Sequence, residues 1–377
     1  MAEPAERVLA ELGRIHTFFP ILQSLGNRWA ASRPWEHQRV GLNLHMTSLS
    51  AAFVSELVLG GGEWAIRAAS SATIQPGVVT HLQRLGVQVF ADGARDGLAE
   101  ITAWEPNYFM DVNFGLGAAL LRAGATPRAG VELSRSGIQT LRRIDGLPFA
   151  MINADEGRIK PAVENRHGVG ESIWHAFSRI TGIHLAGHRV VVVGYGPVGA
   201  GVAAYARARG AAVEVVEIAP VRRLIAHYDG YPTPPLHQAL PGAQVVVTAT
   251  GRTRALALPD LKKLRSGCVL VNAGRGDDEL DVSSLREESE AIDHVSKRVA
   301  KYRLPGGPEL VVLTDGHPLN IVLSAGSPEP VLLHFAVAGL ALEWATSADL
   351  VPGEHWLAPG IEEEAARLAL KALGHEP

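Results

Sequence analysis

Apolar residues recur along this chain in two rhythms. Between residues 189 and 320 short runs are apolar at nearly every position: "RVVVVG", "AVEVVEI", "AQVVVTAT", "CVLVNAG" and "ELVVLTDG", separated by helical or turn segments. A strand that is apolar on both faces has helices on both sides, so these runs predict a doubly wound parallel sheet. In residues 1 to about 150 the helical spacing of "AERVLAELGRI" and "SLSAAFVSELVLGG" alternates with the shorter runs "GVQVFA", "NYFMDV" and "PFAMINA", which predicts a second α/β structure. From residue 328, "PEPVLLHFAVAGLALEWAT" reads as a long apolar helix and "GIEEEAARLALKAL" as an amphipathic one.

Composition narrows the function. A chain of 377 residues exceeds what one core usually serves, so two domains are expected. Hydrophobic content of 47% and charged content of 20% describe an ordinary folded protein. A net charge of −4 offers no basic field for a polyanion, which argues against nucleic acid and anionic membrane and for a small-molecule ligand. One cysteine, Cys268, forms neither an internal disulfide nor a cysteine zinc site, and its flank "CVLVN" suggests a buried strand. The N-terminus lacks a signal pattern and no apolar run looks long enough to cross a bilayer, so a cytosolic protein is expected. No metal is expected, because the histidines lack H-E-x-x-H or comparable spacing.

The strongest local motif is "VVVVGYGPVGAGVAAYARARGAAVEVVEIAP". Gly194, Gly196 and Gly199, with Val198 between them, give G-x-G-x-x-G after a strand and at the mouth of a helix, where bare backbone can approach a pyrophosphate. Glu217 ends the next strand, 217 − 194 = 23 residues later, near the roughly 20 expected of the acid that binds a ribose diol. A carboxylate there repels a 2′-phosphate, so NAD is the expected cofactor. Arg222, shortly afterwards, relaxes that choice. The predicted fold is therefore α/β, with a Rossmann-type NAD-binding domain over 171–327. A separate α/β substrate domain spans 1–170 and is completed by 328–346, and a helical segment covers 347–377. Ligand is expected in the cleft between the domains, at the carboxyl ends of the strands.

Further stretches carry a resemblance: "LHMT" at 44–47, "NADEGRIKPAVENRHGVGES" at 153–172, "GYGPVGAG" at 194–201, "TATG" at 248–251, "VNAGRGDDELDV" at 271–282 and "GHPLNIVLSAGSP" at 316–328. In order and spacing the chain resembles the S-adenosylhomocysteine hydrolases. Members of that family hold NAD, oxidise a ribose 3′-hydroxyl, remove the acidified 4′ proton, eliminate the 5′ substituent, add water and reduce the ketone again. The resemblance implies that Lys160 handles the 3′ proton, that Glu164 hydrogen-bonds the sugar and that Asn165 faces the nicotinamide. It implies that His45 works near the 5′ carbon and that Thr47 and Gln75 contact the adenine, so a purine nucleoside is the expected substrate. Asp155 adds a carboxylate by the sugar where the family has asparagine, and Thr250, Asn272 and Asn320 fall in cofactor-contacting segments.

Departures from the family surround the substrate. In "MDVNFG" the catalytic aspartate position becomes Val112, with a carboxylate one residue earlier at Asp111. "VELSRSG" keeps Glu132 but puts Leu133 at the residue that binds the 2′-hydroxyl. Arg275 replaces a histidine near the 5′ carbon, and Ser327 replaces the histidine of the gating hinge. The family's C-terminal arm is not found after "HWLAPGIEEEAA", which leaves a dimer and a tetramer as equal expectations for a homo-oligomer. Because the cofactor motif, Lys160 and Asn165 persist, the expected activity is an NAD-dependent hydrolase-like lyase. It would dehydrate a purine nucleoside to a 4′,5′-alkene in a natural-product pathway such as that of angustmycin A, whose sugar is a psicose. Asp111 and His45 compete for the 4′ proton. The alternatives are a genuine S-adenosylhomocysteine hydrolase and an inactive NAD- and nucleoside-binding regulator.

Overall fold

A computed structural model describes residues 4–90, 97–274, 278–323 and 327–375. The chain divides into two compact units, residues 1–160 with 328–377 and residues 161–327. Strands β1 (Arg39–Leu44), β2 (Glu63–Ala68), β3 (Gln88–Val89), β4 (Tyr108–Asp111), β5 (Ala129–Glu132) and β6 (Ala150–Asn153) lie in the first unit. The second holds β7 (Arg189–Val193), β8 (Ala212–Val216), β9 (Val245–Thr248), β10 (Val269–Asn272), β11 (Ala291–Ser296), β12 (Val299–Arg303) and β13 (Glu309–Leu313). β14 (Gly353–Trp356) returns to the first.

The sheet of the first unit runs β3-β2-β1-β4-β5-β6-β14, with every neighbouring pair parallel. Its order reverses between β1 and β4, so this unit is itself doubly wound, with a ligand crevice expected above the carboxyl ends of those two strands. Successive side chains alternate between two cores. Val40, Leu42, Met110, Val131 and Ile152 pack under the terminal helices and helix Pro328–Ser347. Phe109, Phe149 and Met151 face helices Gly115–Arg122 and Arg135–Leu141.

The second sheet runs β8-β7-β9-β10-β13-β12-β11. Its first five strands are parallel and coincide with the five apolar runs of the sequence. β11 and β12 form an antiparallel edge hairpin that hydrophobicity did not announce, since β11 is almost wholly exposed. Cys268, just before β10, is buried, and burial pushes its thiol up to about 12, which leaves it unreactive.

Three expectations need correction. The division falls after Lys160 rather than at 170. Residues 347–377 do not form a helical appendix: β14 pairs with β6 and extends the first sheet before helix Ile361–Ala372. Helix Pro328–Ser347 is long and apolar enough to cross a membrane by length and composition; here it is a core helix, with Leu332, His334, Val337, Leu340 and Leu342 buried.

Candidate active site

The candidate residues of the first unit gather at the carboxyl ends of its strands. His45 follows β1, and Thr47 caps helix Ser48–Leu57, accepting from Ser50 N at 3.4 Å. The segment after β2 closes on them: His45 Nδ1 lies 3.1 Å from Thr73 Oγ1, Ser48 Oγ donates to Gln75 Oε1 at 3.1 Å, and Gln75 N donates to Met46 O at 3.1 Å. His45, Thr47 and Gln75 are thereby brought together beside the β1/β4 crevice. Burial holds the His45 imidazole below its ordinary pKa, so near neutral pH it is an uncharged group able to take up a proton.

Asp111 does not fit the part of a base. It projects to the same side of β4 as Phe109, where its fully buried carboxylate accepts from Asn43 Nδ2 at 2.6 Å, Gly117 N at 2.7 Å and Gly115 N at 3.1 Å. The group caps helix Gly115–Arg122 and ties it to β1. Glu132, its register partner on β5, accepts from Phe114 N and Ser134 N, both at 2.9 Å, and from Ser134 Oγ at 2.6 Å. Burial pushes both carboxyls up, and Glu132 rises further because Asp111 stands beside it. These are structural carboxylates. Val112 and Leu133, one residue on in each strand, turn to the opposite core and present hydrocarbon there.

The turn into Lys160 is braced by residues the sequence did not single out. Glu362 Oε1 accepts from Arg158 N at 2.6 Å and Ile159 N at 2.7 Å, and its Oε2 takes Arg158 Nε at 3.1 Å. Gly157 has no room for a Cβ, which would sit 2.6 Å from Glu362 Oε1. Asp155 is buried with Arg135 Nη1 at 3.9 Å. Lys160 then opens a π-helix, Lys160–Val169, that also carries Glu164 and Asn165, all three half-buried. π-Helical segments are rare and concentrate at functional sites. Complete burial, with the positive charge of Lys160 as the lesser cause, holds His334 well below its ordinary pKa, and His334 Nε2 lies 3.2 Å from Leu133 O.

In the second unit the strand order reverses between β7 and β9, and the glycine turn sits at that point. Gly194 has φ 102°, and a Cβ there would lie 2.6 Å from Ala249 O; at Gly199 it would lie 2.1 Å from Gly194 O. Gly196 differs: its backbone suits any residue, at φ −74°, and a Cβ would meet nothing nearer than Arg222 Nη1 at 3.7 Å. The first and third glycines are required by the fold, and the second leaves space for a ligand at the amino end of helix Pro197–Ala208, which also carries the half-buried Val198. Glu217 lies across the mouth of the turn, its two oxygens accepting Tyr195 N at 2.7 Å and Ala219 N at 2.8 Å, with lone pairs remaining for a ribose diol. Thr248 Oγ1, at the end of β9, and Asn320 Oδ1 are buried without hydrogen-bond partners, as expected of groups awaiting a polar ligand. Asn165 is held nearby through its neighbour, since a Cβ on Gly201 of that helix would strike Arg166 O at 1.9 Å.

Two further cofactor candidates, Asn272 and Thr250, are also tied into the walls of the unit. Asn272 donates to Gly316 O and accepts from Gly274 N, each at 2.8 Å. Thr250 donates its hydroxyl and its N–H to the fully buried Glu279 at 3.0 Å, and Gly251 N joins at 2.7 Å. Glu279 was missed because nothing in "GDDELDV" shows which acid turns inward. Ser327 is half-buried ahead of helix Pro328–Ser347, and Arg275 lies outside the described residues.

A doubly wound sheet with this turn, acid and pair of unpartnered polar groups defines an NAD-binding protein of the Rossmann class. The family model "S-adenosyl-L-homocysteine hydrolase, NAD binding domain" matches residues 165–326. An adenosylhomocysteinase of Sulfolobus acidocaldarius is 31% identical over 98% of this chain and 93% of its own. An S-inosyl-L-homocysteine hydrolase of Methanopyrus kandleri is 29% identical over 99% and 92%, and an adenosylhomocysteinase of Pyrobaculum aerophilum 29% over 98% and 93%. The chain belongs to the adenosylhomocysteinase family.

Proposed function

We propose that this enzyme is a lyase on a purine nucleoside, oxidising it transiently at 3′, removing the 4′ proton and expelling the 5′-hydroxyl as water, in nucleoside natural-product biosynthesis of the angustmycin A kind. The observation that carries this reading is the hydrocarbon at Val112 and Leu133, where the family resemblance places carboxylates, together with the commitment of Asp111 and Glu132 to backbone amides. These departures fall where the resemblance puts the sugar, whereas the glycine turn and Glu217 keep the pattern of a dinucleotide site.

Bound NAD supplies the hydride acceptor for C3′ and the hydride that later reduces it. Lys160 Nζ removes the 3′-hydroxyl proton and afterwards returns it. The 3′-ketone acidifies the 4′ proton, which the neutral imidazole of His45 takes. The C4′–H electron pair forms the alkene, the C5′–O bond breaks, and His45 gives its proton to the departing oxygen, so nucleoside becomes unsaturated nucleoside plus water. With Asp111 sequestered, one group serves both proton transfers.

A genuine S-adenosylhomocysteine hydrolase is the second reading, favoured by similarity to adenosylhomocysteinases along nearly the whole chain. Chromatography with mass detection on protein plus NAD separates the two. A nucleoside lighter by one water, from adenosine or psicofuranosyladenine, supports the lyase. Free homocysteine released from S-adenosylhomocysteine at enzymatic rates supports the hydrolase, and no product with no NADH absorbance supports an inactive binder.

A further inference from the structure

The buried side chains of helix Pro328–Ser347 are apolar except for His334, which is 2% exposed. Its Nε2 sits 3.2 Å from Leu133 O. A carbonyl can only accept, so the proton of the neutral ring is on Nε2 and Nδ1 carries a bare lone pair. That Nδ1 is buried and has no hydrogen-bond partner. A buried acceptor without a donor costs stability that an alkyl side chain at the same place would not, so tying Leu133 accounts for only half of this residue.

The setting indicates what the other half meets. His334 contacts the backbone of Leu133, its helix neighbours Leu332, Ala336 and Val337 share a core with Leu133 and Val112, the two hydrocarbon residues of the substrate region, and it stands within electrostatic reach of Lys160. We infer that His334 is a specificity residue of the substrate site, its Nδ1 accepting a hydrogen bond from one hydroxyl of the nucleoside sugar. It restores on the helix side the polarity that Val112 and Leu133 remove from the strand side. The inference rests on the nucleoside reading and names the group that sets sugar preference within it.

Calorimetric binding tests it without requiring turnover. NAD-loaded wild type and His334→Gln are titrated with adenosine, its 2′-, 3′- and 5′-deoxy analogues, and psicofuranosyladenine. Glutamine keeps a donor for Leu133 O and removes Nδ1, its own acceptor oxygen being on the same terminal carbon as the donor rather than at the Nδ1 position. The variant should bind the hydroxyl-bearing nucleoside about 5- to 150-fold more weakly. It should match wild type on the one analogue lacking that hydroxyl, with NAD affinity and melting temperature unchanged. Equal binding of all five ligands by the two proteins overturns the inference, and so does a uniform loss across all five, which marks a packing role. Should the glutamine variant not fold, His334→Phe, which fills the space with neither nitrogen, must show the same single-hydroxyl pattern. Wild type binding no nucleoside would overturn the functional reading and this inference with it, whereas wild-type binding with an indifferent variant sinks only the inference.

Discussion

Gly196→Ala separates a glycine kept for the ligand from one kept for the fold. The backbone at Gly196 lies at φ −74° and ψ −175°, which alanine adopts freely, and the new methyl would have Arg222 Nη1 at 3.7 Å as its nearest neighbour. Stability should therefore stay the same or rise by about 0.4–1 kcal/mol, the usual gain from restricting the unfolded chain. The same methyl occupies the approach to the helix amino end, where the cofactor's pyrophosphate must come close, so NAD affinity should drop roughly 10- to 100-fold, or about 1.4–2.8 kcal/mol. Gly199→Ala gives the opposite pattern. Its Cβ would lie 2.1 Å from the Gly194 carbonyl, a backbone atom that cannot step aside, and overpacking of this kind costs at least about 1–3 kcal/mol. Denaturant melts of the NAD-free proteins and calorimetric NAD titrations read the two effects independently. Wild-type NAD affinity in Gly196→Ala would refute the assignment of that space to the cofactor.

Asp111→Asn should cost about 2–4 kcal/mol, because an amide nitrogen would face either Asn43 Nδ2 and the Gly115 N–H or the Gly117 N–H, while turnover per folded molecule persists. His45→Gln should do the reverse: a stability change under about 1 kcal/mol, elimination slowed at least about 100-fold, and NADH absorbance accumulating at 340 nm as 3′ oxidation outlives the second step. Glu362→Ala should lose about 1–3 kcal/mol and activity with it, since Arg158 and Ile159 N–H groups lose their acceptor, and Glu362→Gln, which keeps an oxygen there, should recover most of both. Glu56 is 8% exposed, and burial pushes its carboxyl from 4.5 up to about 7. A folded pKa above the unfolded one stabilises fully below 4.5 and is lost as pH rises through 7, so wild type should lose up to about 3 kcal/mol between pH 4.5 and 8 relative to Glu56→Gln, as read by urea melts across that range.

How far the sequence could be read depended on whether the signal was local. The parallel strands of the second unit were legible because each is apolar on both faces, and the glycine turn because it needs strand, glycines, helix and acid in succession. β1 and β5 were not singled out: "RVGLNL" and "AGVE" carry Gly, Asn or Glu and read as ordinary loop edges until neighbouring strands cover them. β14 was hidden for the same reason, "GEHW" becoming a strand only because β6 offers it an edge. Glu279, Glu362 and Asn43 act on backbone amides or carboxylates 28 to 204 residues away, which no spacing rule reports. His334 did leave a trace, a lone histidine in an otherwise apolar helical run.

The position of the carboxylates shows why a one-residue difference alters chemistry. Along a strand the side-chain period is two, so moving an acid from 112 to 111 carries it to the other face of the sheet. At 111 it meets the amide groups of helix Gly115–Arg122 and serves as a cap, and Glu132 does the same for Phe114 and Ser134. The opposite face holds Val112 and Leu133, with His334 Nε2 3.2 Å from Leu133 O, so one buried imidazole stands where the family resemblance places two carboxylates. A neutral imidazole binds a hydroxyl without adding charge beside Lys160, whereas carboxylates there would pair with it. On the proposed reading, a hydrolase scaffold keeps transient oxidation through the lysine and the cofactor turn and changes what it eliminates by retuning the sugar site.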